Sequence, residues 1–158
     1  MKKLQREESM PKSIELTVDK FTFRAAEDRF YTPAGVWALP EGNRIRIGLS
    51  DFQQQRSGDV AFAEIKPVGT QLAFDEEVAV IETIKVNISL GSPAAGKVVE
   101  INPAMVDAPE VINQDPYGDG WMAVIETEDW EADRARLMDA EAYFTHMKSL
   151  VEEEVKKR

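Results

Sequence analysis

The sequence predicts a mainly β fold, an all-β sandwich or small barrel with a few short helices and a helix at the C-terminal end. Three observations carry this expectation. Short runs alternating apolar and polar residues recur about every ten residues, with Gly-, Pro- and Asn-rich turn signals between them. β-Branched residues, which lose rotamer freedom in helices, concentrate in those runs. From Asp129 the apolar period becomes helical, through Leu137, Met138, Tyr143, Met147, Val151 and Val155, with Phe144 and Leu150 widening the stripe. A chain of 158 residues is long enough for one domain with a real core.

Met1–Ser13 is polar and without a usable period, so residues 1–13 read as a flexible lead-in to a domain over 14–145. Ile14–Val18 alternates as a first strand, which Phe21–Phe23 continues after the break at Asp19 and Lys20. A short strand through Val36, Trp37 and Ala38 lies between two turn-rich clusters, and Arg44–Gly48 alternates as a half-buried strand. Ser50-Asp51-Phe52-Gln53 has the form of a capping box, so a helix over Asp51–Arg56 should end at Ser57-Gly58. Strands come next over Asp59–Ile65 and Lys97–Ile101. Asn102-Pro103 is a helix start, and Pro109 divides this helical stretch into two short turns ending at Ile112. Asp115–Gly120 is a tight turn before a last strand, Trp121–Glu126. The terminal helix places His146 at the edge of its stripe as a partly exposed residue. Residues 146–158 form the partly frayed end of that helix, with Lys156, Lys157 and Arg158 complementing its dipole.

The chain is organised around Val78–Leu90, two apolar-rich runs folded back on each other with one lysine near the fold. From Thr83 the alternation puts Ile84, Val86, Ile88 and Leu90 on one side and Lys85, Asn87 and Ser89 on the other. Lys85 is the only basic residue between Lys66 and Lys97. Displayed at a hairpin tip, it is either a plain solvated side chain or an amine offered to an enzyme that must find one lysine.

Composition narrows the chemistry. Twenty-nine acids against 19 bases give a net charge of −10, which opposes sequence-independent binding to nucleic acid or anionic membrane. There is no cysteine, so disulfides, thiolate metal sites and a cysteine nucleophile are excluded, and redox chemistry would require an attached cofactor. A single histidine leaves almost nothing for a histidine metal site or a Ser-His-Asp triad. No apolar run reaches membrane-spanning length, and Met1–Ser13 lacks the hydrophobic core of a signal peptide, so a cytoplasmic location is expected.

Several ordered motifs carry a family resemblance from about Phe30 to Phe144. Ile47–Phe52 followed by Gly58–Ile65 and Val68-Gly69 is similar to the stretch that precedes the lipoyl hairpin of glycine cleavage system H proteins. Glu82-Thr83-Ile84-Lys85 resembles their Glu-Ser-Val-Lys, whose lysine is lipoylated. Ser92–Asn102 resembles the Pro-x-x-Gly-x-Val-x-x-x-Asn strand, Val111–Trp121 the Leu-Val-Asn-x-Asp-Pro-Tyr-Gly-x-Gly-Trp segment, and Met138–Tyr143 the family's ending. The resemblance implies a lipoyl/biotinyl-type flattened barrel-sandwich of two antiparallel sheets, and a carrier that is not itself catalytic. It implies lipoate joined to Lys85 as an amide, on an arm that spans about 14 Å when extended. Glu82 and Gly96 fall where the family's lipoylating enzymes read their target, although Gly96 also reads as a plain turn glycine, and Tyr117–Trp121 belongs to fold maintenance. The implied partners are a lipoate ligase or lipoyl transferase, a pyridoxal-phosphate glycine decarboxylase, a folate-dependent aminomethyltransferase and dihydrolipoyl dehydrogenase. The arm would pass an aminomethyl group and electrons among them.

The chain also departs from that pattern. Where these proteins carry a His-x-Trp element, it has Ala34-Gly35-Val36-Trp37, with the tryptophan and no histidine. After Lys85 it has Val86-Asn87-Ile88 in place of small residues, and its last helix runs on past Phe144 to a basic end. A related group of lipoate-binding proteins serves a heterodisulfide-reductase-like sulfur oxidation system, whose sulfur transferases and reductase subunits would then be the partners. An unmodified interaction module of the same fold is a further alternative. A biotin carrier fits less well, because methionines flank its lysine where Ile84 and Val86 stand here.

Overall fold

The computed structural model describes residues 12–156. The expected lead-in therefore lies outside the described residues except for Lys12 and Ser13. Ser13 already opens the first strand, and the Lys12 carbonyl accepts the Glu27 N–H at 2.8 Å. The described residues contain eleven strands: β1 Ser13–Val18, β2 Phe21–Ala26, β3 Phe30–Tyr31, β4 Val36–Glu41, β5 Arg44–Leu49, β6 Val60–Ile65, β7 Gln71–Leu72, β8 Glu77–Thr83, β9 Asn87–Gly91, β10 Gly96–Ile101 and β11 Ala123–Thr127. The helices are α1 Asp51–Ser57, α2 Ala104–Asp107, α3 Val111–Gln114, α4 Trp130–Arg134 and α5 Ala140–Lys156.

All strand pairs are antiparallel. A six-stranded sheet of order β3-β4-β5-β11-β10-β7 faces a three-stranded sheet of order β6-β8-β9. The core lies between them, built from the inward residues that alternation marks: Ala38, Ile45, Ile47 and Leu49 on one side, Ala63, Ala79, Ile81 and Leu90 on the other. Met105 of α2 and Ile112 of α3 belong to the same core. This is the expected mainly β sandwich with antiparallel sheets and a C-terminal helix.

A third sheet stands outside the sandwich. Phe21–Phe23 does not continue the first strand but turns back and pairs with it, Ile14 opposite Ala25 and Leu16 opposite Phe23. Asp19 makes the reversal with φ 56, a left-handed conformation that Asp tolerates better than most residues. This hairpin, α1 and α5 bury Phe23, Phe52, Met147 and Val151 in a small core of their own.

The helical stripe begins later than its period suggests. Leu137 and Met138 are not helical, because Met138 exchanges two backbone hydrogen bonds with Tyr31 at 2.8 and 2.9 Å. Asp139 then caps α5, accepting the Ala142 N–H at 2.8 Å. Asp129 caps the separate helix α4 through the Ala132 N–H at 3.3 Å. The capping box of α1 is half realised. The Ser50 hydroxyl accepts the Gln53 N–H, but the Gln53 side chain runs forward to Ser57 at 3.1 Å. The Ser50 N–H is already taken by the Gly35 carbonyl at 2.8 Å, so nothing is left for Gln53 to satisfy. Gly58 ends the helix where expected, though at φ 87 and ψ −170, an extended conformation open to glycine and not the left-handed helical one.

Candidate functional site

The Val78–Leu90 segment forms the β8–β9 hairpin, with Glu82 opposite Asn87 as the last ladder pair. Three residues, Ile84 to Val86, connect the two strands. The period of two fails here: Ile84 is 82% and Val86 40% exposed, and only Ile88 and Leu90 reach the core side. The expectation that all four share one face is therefore corrected. A side chain that the alternation assigns no role causes the break. The Thr83 hydroxyl accepts the N–H of Lys85 at 3.2 Å and of Val86 at 2.9 Å, and lies 2.9 Å from the Val86 carbonyl, to which it donates. The Thr83 N–H also donates to that carbonyl, at 2.8 Å. Such a side-chain turn closes the chain in fewer residues than a strand period allows.

Lys85 stands exposed at the tip. Its ammonium donates to the carbonyl of Arg56 at 3.3 Å, at the end of α1 where backbone carbonyls lack helical partners. Among the described residues it makes no ion pair. The helix end beneath it is fixed by Asn113 of α3. The Asn113 amide donates to Gly58 O and to Gln54 Oε1, both at 3.0 Å, and its carbonyl oxygen accepts the Val60 N–H at 2.9 Å. The Asp59 carbonyl, between these anchors, accepts the Ile84 N–H at 3.4 Å. The turn that holds Lys85 thus rests on the α1–β6 junction, and that junction rests on Asn113.

Of the residues singled out from the sequence, Glu82 and Lys85 share one hairpin. Glu82 lies on the outward face of the three-stranded sheet, between Asn87 and the 54% exposed Phe62. Gly96 is on the other sheet, in β10, paired with Leu72 on one side and Thr127 on the other. It is buried, and a Cβ there would overlap the Glu126 carbonyl, so sheet packing alone demands glycine at this position. Thr83, Asn113 and the Arg56 carbonyl were not assigned to the site by sequence. The signal for Thr83 was a hydroxyl residue at the start of a turn; for Asn113 it was only its place in the Val111–Trp121 segment, and for Arg56 there was none, since their partners are tens of residues away.

The Asp115–Trp121 segment supports this platform from behind. Trp37 donates its indole N–H to the Pro116 carbonyl at 3.0 Å, and the buried Arg29 guanidinium lies over the Trp37 and Tyr117 rings. The Tyr117 hydroxyl donates to Arg24 O at 2.6 Å and accepts the Asp51 N–H at 3.3 Å. Tyr143 stacks on Tyr31 at 4.4 Å between centroids, and its hydroxyl is 2.7 Å from that of Ser50. Burial raises all three phenols well above the ordinary tyrosine range, Tyr117 to about 12. His146 is half-buried on α5, 3.2 Å from the Pro33 carbonyl.

A cleft of about 930 Å³ opens between the β1–β2 hairpin and the Asp115 turn. Three carboxylates in it have local structural work: Glu15 pairs with Arg24, Asp51 accepts the Arg24 N–H, and Asp115 caps the N–H of Asp119. Among the described residues no cluster of His, Asp or Glu is arranged to hold a metal, and no helix is long and apolar enough to cross a membrane.

Comparison with known proteins places this arrangement. The family model for the glycine cleavage H-protein matches residues 29–150. The glycine cleavage system H protein of a Thermus thermophilus strain is 43% identical over 117 residues, covering 74% of this chain and 91% of the relative. That of Anaeromyxobacter sp. strain K is 44% identical over 128 residues, covering 81% and 96%. A crystal structure of the H protein from Mycobacterium marinum superposes with a TM-score of 0.68 at 30% identity, covering 74% of this chain and 94% of that one. The family match leaves out the β1–β2 hairpin and the last turns of α5. With the lysine hairpin and the Asn113–Trp121 support both inside the matched region, the chain belongs to the glycine cleavage H-protein family.

Proposed function

We propose that the chain is a lipoyl carrier of the glycine cleavage system, with lipoate in amide linkage to Lys85 and no catalytic centre of its own. One observation carries the reading: an exposed lysine at the tip of a clamped turn, its amine held by a backbone carbonyl and by no carboxylate among the described residues. An amine so placed can be acylated without breaking an ion pair, and the amide that results keeps one N–H to donate to Arg56 O. Lipoate supplies thiol–disulfide exchange, which a chain without cysteine has no side chain to perform. The chain's own residues hold and orient. Lys85 provides the covalent attachment, Thr83 fixes its backbone, and Glu82 on the same hairpin is the recognition mark for the lipoate ligase or lipoyl transferase. Gly96 takes part by keeping β10 seated against β11. The loaded carrier would serve the glycine decarboxylase, the aminomethyltransferase and dihydrolipoyl dehydrogenase in turn.

Intact mass of protein produced in a lipoate-competent host tests this. The expected result is the increment of one lipoyl amide, absent in Lys85→Ala. Wild-type protein that stays unmodified in that host would leave an interaction module of the same fold. Incubating loaded protein with a glycine decarboxylase and glycine should release CO2 in proportion to carrier. Release no greater than with the unmodified protein would instead direct the carrier to the sulfur oxidation system.

A further inference from the structure

We propose that Thr83 is a positioning residue for the acylation of Lys85, acting through the backbone of the modified residue; this rests on the reading of Lys85 as the attachment site. A hydroxyl can donate once and accept twice. That of Thr83 uses this full capacity within the lysine turn, accepting from Lys85 N and Val86 N and donating to Val86 O. Each of these partners lies at or next to the residue to be modified. The bond that closes the base of the turn, Thr83 N–H to Val86 O at 2.8 Å, uses main-chain atoms only. The ladder pair Glu82–Asn87 below it is likewise independent of the hydroxyl. The hairpin therefore forms without the Thr83 side chain, and what the hydroxyl adds is the orientation of the Lys85 amide plane. That plane sets the direction in which the Lys85 side chain leaves the turn. Ile84 and Val86 are exposed on both sides of Lys85 and have no core packing to fix it instead. An acylating enzyme meets a lysine whose exit vector is set in advance, and does not have to order a mobile loop first.

The experiment compares wild type, Thr83→Val and Thr83→Ser as acceptors for a lipoate–protein ligase supplied with lipoic acid and ATP. Valine has nearly the shape of threonine and Thr83 is only 9% exposed, so packing is retained while all three hydroxyl bonds are lost. The expected kcat/KM for Thr83→Val falls about tenfold, and Thr83→Ser stays within about twofold of wild type. Equal rates for Thr83→Val and wild type overturn the proposal. So does a serine variant as slow as the valine one, which would make the methyl group and its packing the cause. Amide hydrogen exchange on the wild-type protein gives a test that needs no variant: the Lys85 and Val86 N–H should be protected despite their exposed position. Exchange at the rate of an unstructured chain removes the clamp and the proposal with it. If no wild-type protein is acylated, the attachment-site reading fails separately, and the exchange result still decides whether the clamp exists.

Discussion

Two side chains, Thr83 and Asn113, hold the turn that carries Lys85 in place. The Asn113 amide binds the end of α1 and the start of β6 with three hydrogen bonds. Asn113→Ala leaves the Gly58 carbonyl and Val60 N–H without this partner at a partly enclosed site. It should cost about 1–3 kcal/mol in denaturant unfolding. The place of Lys85 at an exposed hairpin tip was readable in the sequence because its setting is local: a lone cation between β-prone runs, inside a motif only a few residues long. Thr83 was half readable, since a turn hydroxyl announces itself but its partners depend on how the turn closes. Asn113 was readable only as part of a resembling segment. Its role exists because α3 folds back onto a junction more than fifty residues earlier, and no period or spacing encodes that return.

Among the elements, α1 is the shared support. On one side its last turn offers the Arg56 carbonyl to Lys85; on another it carries the β1–β2 hairpin and α5. Asp51 accepts the Arg24 N–H at 2.8 Å, Gln55 donates to the Thr22 carbonyl at 2.9 Å, and Arg56 pairs with Glu154 at 2.7 Å. The exposed Arg56–Glu154 pair contributes little alone, so the packing of Phe23, Phe52, Met147 and Val151 holds the assembly. Met147→Ala, at a fully buried position, is expected to cost about 2–5 kcal/mol, seen as a lowered melting temperature. Deuterium uptake should rise first in β1 and β2. Turn signals bracketed β4, whose Val36, Trp37 and Ala38 are all buried and carry no period, whereas alternation located β1, β5 and β9. It missed β3 and β7, which have two residues each and so no period. It joined α4 to α5 because Leu137 and Met138 keep a helical spacing while Met138 serves a backbone bridge to Tyr31.

For the molecule as a whole, the buried phenols set the response to alkaline pH. Tyr117 has a folded pKa raised to about 12, mainly by burial, against about 10 for an unfolded tyrosine. Its stabilising contribution is complete below about pH 10 and is lost as pH rises from there through 12, because the unfolded chain ionises first. Tyr31 and Tyr143 shift in the same direction. Tyr117→Phe loses the bonds to Arg24 and Asp51 and is expected to be less stable at neutral pH. The gap to wild type should close by on the order of 2 kcal/mol as pH rises from 10 toward 12. Unfolding curves taken with tyrosinate absorbance across that range read the effect. A gap that stays constant would mean that the Tyr117 phenol ionises no later in the folded chain than in the unfolded one.

The support that α1 gives to both Lys85 and the hairpin has a thermodynamic corollary. On the proposed reading of Lys85, α1 lies between the loaded amine and the β1–β2 hairpin, and any difference in hairpin opening between loaded and unloaded chain equals the difference in acylation free energy between open and closed hairpin. Whatever free energy an open hairpin adds to or takes from the loaded amine, the loaded amine returns in equal measure to the opening of the hairpin. Strands that lie outside the matched family region are where that difference is to be measured. Their exchange rates, compared between loaded and unmodified protein, measure the coupling to a lysine they do not touch.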